Sequence, residues 1–260
     1  MDTWNPAQYE RFKRERTQPF FDLLAMIRPE PAMRIVDLGC GTGHLTRMLH
    51  DGLRAADTVG LDRSARMLDA ARAAESLDPR LRFDLGTIEA FAAHDEYDLI
   101  FSNAALHWID DHESLLARLA AGLRPGGQLA FQVPAMHDHL SHTVADELAA
   151  VEPFRAAVGG WRRPQPVLRP DEYSRLLFRL GFREPRVQLV IYPHILTGRE
   201  EVIEWMKGTL LTDYEVRLSA DRFAEFLDAY RDRLLAQLAP ERPFFFPFKR
   251  ILCWGQKKSG

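Results

Sequence analysis

The segment Asp37-Leu38-Gly39-Cys40-Gly41-Thr42-Gly43 stands where an apolar, β-branched run ends and helical periodicity begins. Three glycines in five positions let a backbone turn sharply and approach a ligand closely. In a doubly wound sheet, ligands bind outside the carboxyl ends of the strands, where this loop falls. A phosphate loop would close on Gly-Lys followed by Ser or Thr, and none is present. The dinucleotide fingerprint G-x-G-x-x-G would require glycine at 44, where His44 stands. The Asp37 carboxylate would repel a pyrophosphate and attract a cation, directly or through water. Asp62, at the end of the next apolar run, suits two ribose hydroxyls. The ligand these residues describe is a cationic adenosine derivative without phosphate, and S-adenosylmethionine is such a molecule.

Positioning these groups requires a sheet. Short apolar runs at Arg34–Leu38, Thr58–Asp62, Leu81–Leu85, Tyr97–Ser102, Gln128–Val133, Arg186–Tyr192 and about Phe248–Trp254 read as seven strands. Helical spacing fills the intervals at His44–Leu53, from Ser64 onward, and at His112–Leu123, Asp171–Leu180, Arg199–Lys207 and Ser219–Leu238. Strand–helix alternation implies an α/β, doubly wound, mostly parallel sheet. The chain reads as a single domain over 1–260. Within it, 1–30 form an N-terminal helical cap, 31–134 the cofactor-binding core, and 135–180 and 195–245 helical lid insertions. A formal charge of −3 carries no basic excess, which argues against a nucleic-acid partner. No apolar run reaches bilayer-spanning length, and the N-terminus shows no secretory pattern, so a cytoplasmic location is expected. Two cysteines, Cys40 and Cys253, are too few for a disulfide framework or a cysteine metal site.

Several stretches carry a family likeness: Trp4-Asn5-Pro6 with Tyr9, Phe12, Arg16, Pro19 and Asp22-Leu23-Leu24, the glycine loop, Gly60-Leu61-Asp62, and Ser64 with Met67-Leu68. The run from Asp98 through His107-Trp108, then Leu123-Arg124-Pro125-Gly126-Gly127 and Phe246-Pro247, continue it. The chain resembles class I S-adenosylmethionine-dependent methyltransferases and, more narrowly, the trans-aconitate 2-methyltransferase group. The resemblance implies a Rossmann-like sheet whose seventh strand enters antiparallel between strands five and six. It also implies cofactor contacts at Gly39, Gly41, Asp62 and Met67, the last against adenine, with Asp37, Cys40 and Arg63 beside them. Asn103 would lie near the methionine moiety, and Trp4 and Tyr9 would fold over the cofactor. Where the family often holds the adenine amino group with an acid, this chain has Thr87 followed by Ile88.

The acceptor end is read from the residues after the fourth strand. His107 could donate to the acceptor or serve as a base, and Trp108 would wall the site. A carboxylate acceptor of pKa ~4 is already ionised and needs no base. Its methylation rests on proximity and alignment, which supply roughly 7–11 kcal/mol. An acidic acceptor calls for cations, and Arg162 and Arg163 beside Trp161 could clamp it, with Tyr173 a further substrate-binding candidate. His194, Trp205 and Lys207 are weaker candidates. His137, His139 and His142 read as a lid or surface loop rather than a metal site. Phe244-Phe245-Phe246 reads as core or site wall. The expected partner is a small acidic molecule. Rival readings are a methyltransferase for an alcohol, amine or natural product with His107 as base, a nicotinamide-dependent oxidoreductase, and a non-catalytic cofactor-binding module.

Overall fold

The structure, a computed structural model, describes residues 13–75 and 78–259. Helix α1 (Lys13–Leu24) leads into β1 (Arg34–Leu38), α2 (His44–Leu53), β2 (Asp57–Asp62), α3 (Ala65–Glu75), β3 (Leu81–Leu85) and β4 (Tyr97–Asn103). A 3₁₀ turn (Leu106–Trp108) precedes α4 (His112–Gly122) and β5 (Leu123–Pro134). Next come α5 (Leu140–Ala149), α6 (Phe154–Ala157), α7 (Pro170–Arg179) and β6 (Phe182–Leu196). The chain then forms α8 (Glu200–Lys207), α9 (Thr212–Glu215), α10 (Ala220–Gln237) and β7 (Phe244–Lys257). No described helix is long and apolar enough to cross a membrane.

The sheet order is β3-β2-β1-β4-β5-β7-β6. Strands β1 to β5 pair in parallel, and β7 runs antiparallel to β5. The order reverses between β1 and β4, which is the switch point where such sheets open a crevice at their carboxyl ends. Two compact units are present. The sheet unit holds Arg16–Pro134, Pro166–Val190 and the chain from Arg250 onward; the helical unit holds Ala135–Gln165 and Ile191–Lys249. The expected lid segment 135–180 is therefore divided: residues 166–180, including all of α7, group with the sheet. Conversely, 191–194 and 246–249 group with the helical unit, since β6 and β7 each run from one unit into the other.

Continuous apolar runs suit strands covered on both faces. Ile35, Val36, Leu99, Ile100, Phe101, Leu129, Ala130 and Phe131 are accordingly buried. Helix α1 seals this core with Phe20 and Leu23, and Phe20 meets Phe101 edge-on at 5.7 Å between ring centroids. Local signals set the helix starts. The Asp111 side chain accepts from the Ser114 amide to cap α4. Glu172 accepts from the Arg169 amide at 2.7 Å to begin α7, with Pro170 in its first turn.

The helical unit has its own core. Phe226 is fully buried, stacked on Tyr214 at 4.8 Å and edge-on to Phe154 at 5.1 Å. The Tyr230 hydroxyl donates to the Ser141 carbonyl at 2.9 Å, tying α10 to α5. Phe244 and Phe246 join this core, whereas Phe245 stays exposed. Phe226→Ala should destabilise the helical unit by about 3–5 kcal/mol through lost burial and the cavity left behind. Chemical denaturation measures this, and a loss below about 1 kcal/mol would contradict the assignment of that core.

Candidate active site

The carboxyl ends of β1, β2 and β4 gather the charged and glycine residues singled out from the sequence. The loop after β1 is fastened to β2, because the amides of Gly39 and Cys40 both donate to the Leu61 carbonyl, at 2.8 and 3.0 Å. Gly39 has φ +80°, and a β-carbon there would lie 2.3 Å from that of Ala105. Gly41 has φ +55° and would meet nothing within 4 Å, so its backbone faces open space. The Gly41 amide donates to Asp62 Oδ2 and the Ser64 amide to Oδ1, each at 2.9 Å. Both Asp62 oxygens are thereby held in place, and each keeps a lone pair for a hydroxyl donor.

Asp37 is almost wholly buried. Its Oδ2 accepts from the Thr46 hydroxyl at 2.6 Å, while Oδ1 is buried without a hydrogen-bond partner among the described residues. Burial pushes its pKa up to about 7; the Thr46 bond opposes this and the Asp62 charge adds to it. An acid so placed gains most from a cation. Cys40 is also buried, and burial together with the Asp37 and Asp62 charges raises its thiol pKa far above the ordinary value. It is a packing residue with Leu68, Ala71, Leu81 and Phe83.

The remaining candidates ring this centre. Met67 in the first turn of α3 is half-buried, and Arg63, two residues before that helix, is exposed. The Thr87 hydroxyl accepts from the Ala90 amide at 3.2 Å, so it serves the local turn. The Ile88 carbonyl accepts from Arg118 at 3.2 Å. Asn103 Oδ1 accepts from Gln132 Nε2 at 2.8 Å. Beyond it the His107 and Trp108 rings lie 4.7 Å apart with their planes tilted by 40°, Trp108 half exposed. His107 Nδ1 is buried without a hydrogen-bond partner among the described residues. Burial, then the Arg250 and His112 charges, lowers the His107 imidazole pKa to about 3. Trp4 and Tyr9 lie outside the described residues.

The four substrate-binding candidates, Tyr173, Arg163, Arg162 and Trp161, fall in different settings. Tyr173 is fully buried, its hydroxyl 2.6 Å from His112 Nδ1 and its ring edge-on to Phe131 at 5.4 Å. His112 Nε2 lies 3.0 Å from the Leu106 carbonyl, which can only accept, so Nδ1 is the acceptor for the tyrosine. Tyr173 therefore braces the turn that carries His107. Arg163 is spent on Asp146, with bonds of 3.1 and 3.0 Å, and Tyr214 donates to the same carboxylate at 2.7 Å. Arg162 is exposed, and Trp161 lies under the Arg217 guanidinium at 3.8 Å; both belong to the helical unit. His139 accepts from the Ser141 amide at 3.1 Å and caps α5. Arg250, Gln132 and Thr46 were not among the sequence candidates. The available signal was polar side chains inside strands or on an apolar helix face.

Residues 35–127 match the methyltransferase domain family. A trans-aconitate 2-methyltransferase from Deinococcus radiodurans is 44% identical over 256 residues, covering 96% of each chain. One from Variovorax paradoxus is 39% identical over 98% of this chain and 99% of its own. The chain belongs to the trans-aconitate 2-methyltransferase family. It is an S-adenosylmethionine-dependent methyltransferase. The fold is shared with the YcgJ protein of Bacillus subtilis, with a TM-score of 0.62 and 19% identity over 94% of this chain and 99% of that one. The residues present fit the cofactor: a buried carboxylate oxygen awaits a partner, Gly41 leaves the loop backbone open, and Asp62 offers lone pairs.

Asp37 gives the family's site a cost that can be measured. Between about pH 4 and 7 the native enzyme holds a proton on Asp37 that the unfolded chain has released, so stability falls as pH rises. Asp37→Asn should stabilise the ligand-free enzyme at pH 8, by up to about 4 kcal/mol, with the gain vanishing toward pH 4. Denaturant titrations at the two pH values test this; equal stability at pH 8 would contradict the raised pKa. Asp62→Ala should weaken S-adenosylhomocysteine binding by roughly 10–100-fold, read by calorimetry, through two lost hydrogen bonds. Unchanged affinity would remove Asp62 from the sugar.

Proposed function

We propose that the enzyme transfers a methyl group to a carboxylate oxygen of trans-aconitate or a closely similar di- or tricarboxylate. The observation that carries this reading is near full-length similarity to proteins named trans-aconitate 2-methyltransferases. The state of His107 supports it. A general base works best with a pKa near the working pH. An imidazole held near 3 is a poor base for an alcohol or amine, and a carboxylate needs none.

When bound, S-adenosylmethionine supplies an electrophilic methyl group on a positively charged sulfur. The work of the chain is orientation. Asp62 holds the two sugar hydroxyls, Met67 packs on adenine, and Asp37 receives the cationic end of the ligand. Asn103 stands at the methionine end, and His107 with Trp108 lines the approach of the acceptor. The Arg250 cation, whose field reaches His107, favours an anionic acceptor there. Neutral His107 donates or accepts a single hydrogen bond without adding charge.

Incubation with S-adenosylmethionine and trans-aconitate should give a hydroxide-labile monomethyl ester. A base-stable product, or turnover only on non-acidic acceptors, would contradict the reading. His107→Gln should keep kcat on trans-aconitate within about tenfold, because a catalytic base would contribute 10²–10⁴-fold. A larger loss, with kcat rising along a titration, would favour the base-catalysed alternative.

A further inference from the structure

Three polar side chains run in line across the middle of the sheet unit. Arg250 in β7 is buried, and its Nη1 donates to Gln132 Oε1 at 3.0 Å. Gln132 in β5 is fully buried, and its Nε2 donates to Asn103 Oδ1 at 2.8 Å. The pairing register explains the line. Asn103 sits directly opposite Gln132 across β4 and β5, and Gln132 sits opposite Leu252, two residues from Arg250, across β5 and β7. Directly opposed residues share a face of the sheet, and so do residues two apart on one strand.

The order of donors fixes a direction. A guanidinium only donates, so the atom of Gln132 that meets Arg250 must be the carbonyl oxygen. The Gln132 amino group then faces Asn103, whose facing atom must be its own oxygen. Asn103 Nδ2 is left turned away from β5, at the carboxyl end of β4. Without Arg250, either amide could turn over and the sheet would offer an oxygen as readily as an N–H.

We propose that Arg250 and Gln132 are positioning residues that lock the Asn103 amide with its N–H bonds toward the ligand, where they recognise a carboxylate oxygen. Two carboxylates could take that donor, the methionine carboxylate of the cofactor and a carboxylate of the acceptor. The acceptor case rests on the reading of the acceptor as trans-aconitate; the cofactor case does not.

Gln132→Glu separates polarity from packing. Glutamate keeps the shape and still accepts from Arg250, beside which it stays ionised. Its other oxygen can only accept, so Asn103 turns over to donate to it and presents Oδ1 to the ligand. The expected result is a thermal midpoint close to wild type with roughly tenfold or greater loss of one ligand. The loss falls on the Kd of S-adenosylhomocysteine if the methionine carboxylate is recognised. It falls on the KM of trans-aconitate, with kcat less affected, if the acceptor is recognised. Gln132→Met removes both bonds without reversing the amide, so it should cost more stability and less ligand affinity than Gln132→Glu. A purely structural role gives the opposite order, with Met the more damaging for affinity as well, and overturns the proposal. Wild-type values of both Kd and KM in Gln132→Glu overturn it too. If the wild-type enzyme does not methylate trans-aconitate, that result counts against the acceptor assignment alone. An unchanged S-adenosylhomocysteine Kd in Gln132→Glu then overturns the positioning role by itself.

Discussion

A carboxylate buried at the head of β1 is the constraint from which the site is built. Asp37 keeps one oxygen on Thr46 and leaves the other buried without a partner among the described residues, with Asp62 close enough to raise its pKa further. Such a group disfavours the folded state at neutral pH, so its retention makes sense as a ligand contact. It also selects the ligand's charge. A phosphate would add a third anion to the pair, whereas a cation relieves both. The amides of Gly39, Cys40 and Gly41 are spent on Leu61 and Asp62 rather than arranged as an anion cradle.

The sheet topology brings together the polar groups at the ends of β4, β5 and β7. In a sheet of five parallel strands, β5 would carry only one neighbour at this end. Entry of β7 antiparallel beside β5 brings Arg250 diagonal to Gln132 and so into line with Asn103. Burial keeps His107 neutral, and the same cation adds to that effect. One residue of β7 therefore bears on both the Asn103 amide, through Gln132, and the His107 imidazole. Tyr173 and His112 fix the turn that carries that imidazole. These contacts act by orientation and charge, which is what transfer to an already ionised oxygen requires.

Much of this was legible in the sequence because the signals were local. Strands β1 and β3 and helix α2 have the bounds that apolar runs and glycine breaks imply. The glycines between Asp37 and Gly43 declared the loop's geometry, with Gly39, Gly41 and Gly43 all at positive φ. Strand β5 was read too short, because Pro125-Gly126-Gly127 looks like a turn, yet it lies within β5 where the β4 pairing shifts register. Strand β6 also extends beyond its expected start at Arg186, since Arg183, Glu184 and Pro185 interrupt the apolar pattern ahead of it; an edge strand tolerates charge. The site residues that were missed depend on partners far away in the chain. Gln132 and Arg250 are 118 residues apart, and only strand pairing unites them. Arg163 looked available because its partner Asp146 lies 17 residues upstream on α5, a helix the sequence left vague.

The most direct test is calorimetric titration of the enzyme with S-adenosylmethionine at pH 6, in buffers of different ionisation enthalpy, without acceptor. Asp37 is mostly protonated there before binding, and contact with a cation should expel the proton. The account requires release of close to one proton per site at pH 6, falling toward none above pH 8 and absent throughout in Asp37→Asn. Binding with no proton release at pH 6, or equal release by the variant, would contradict it.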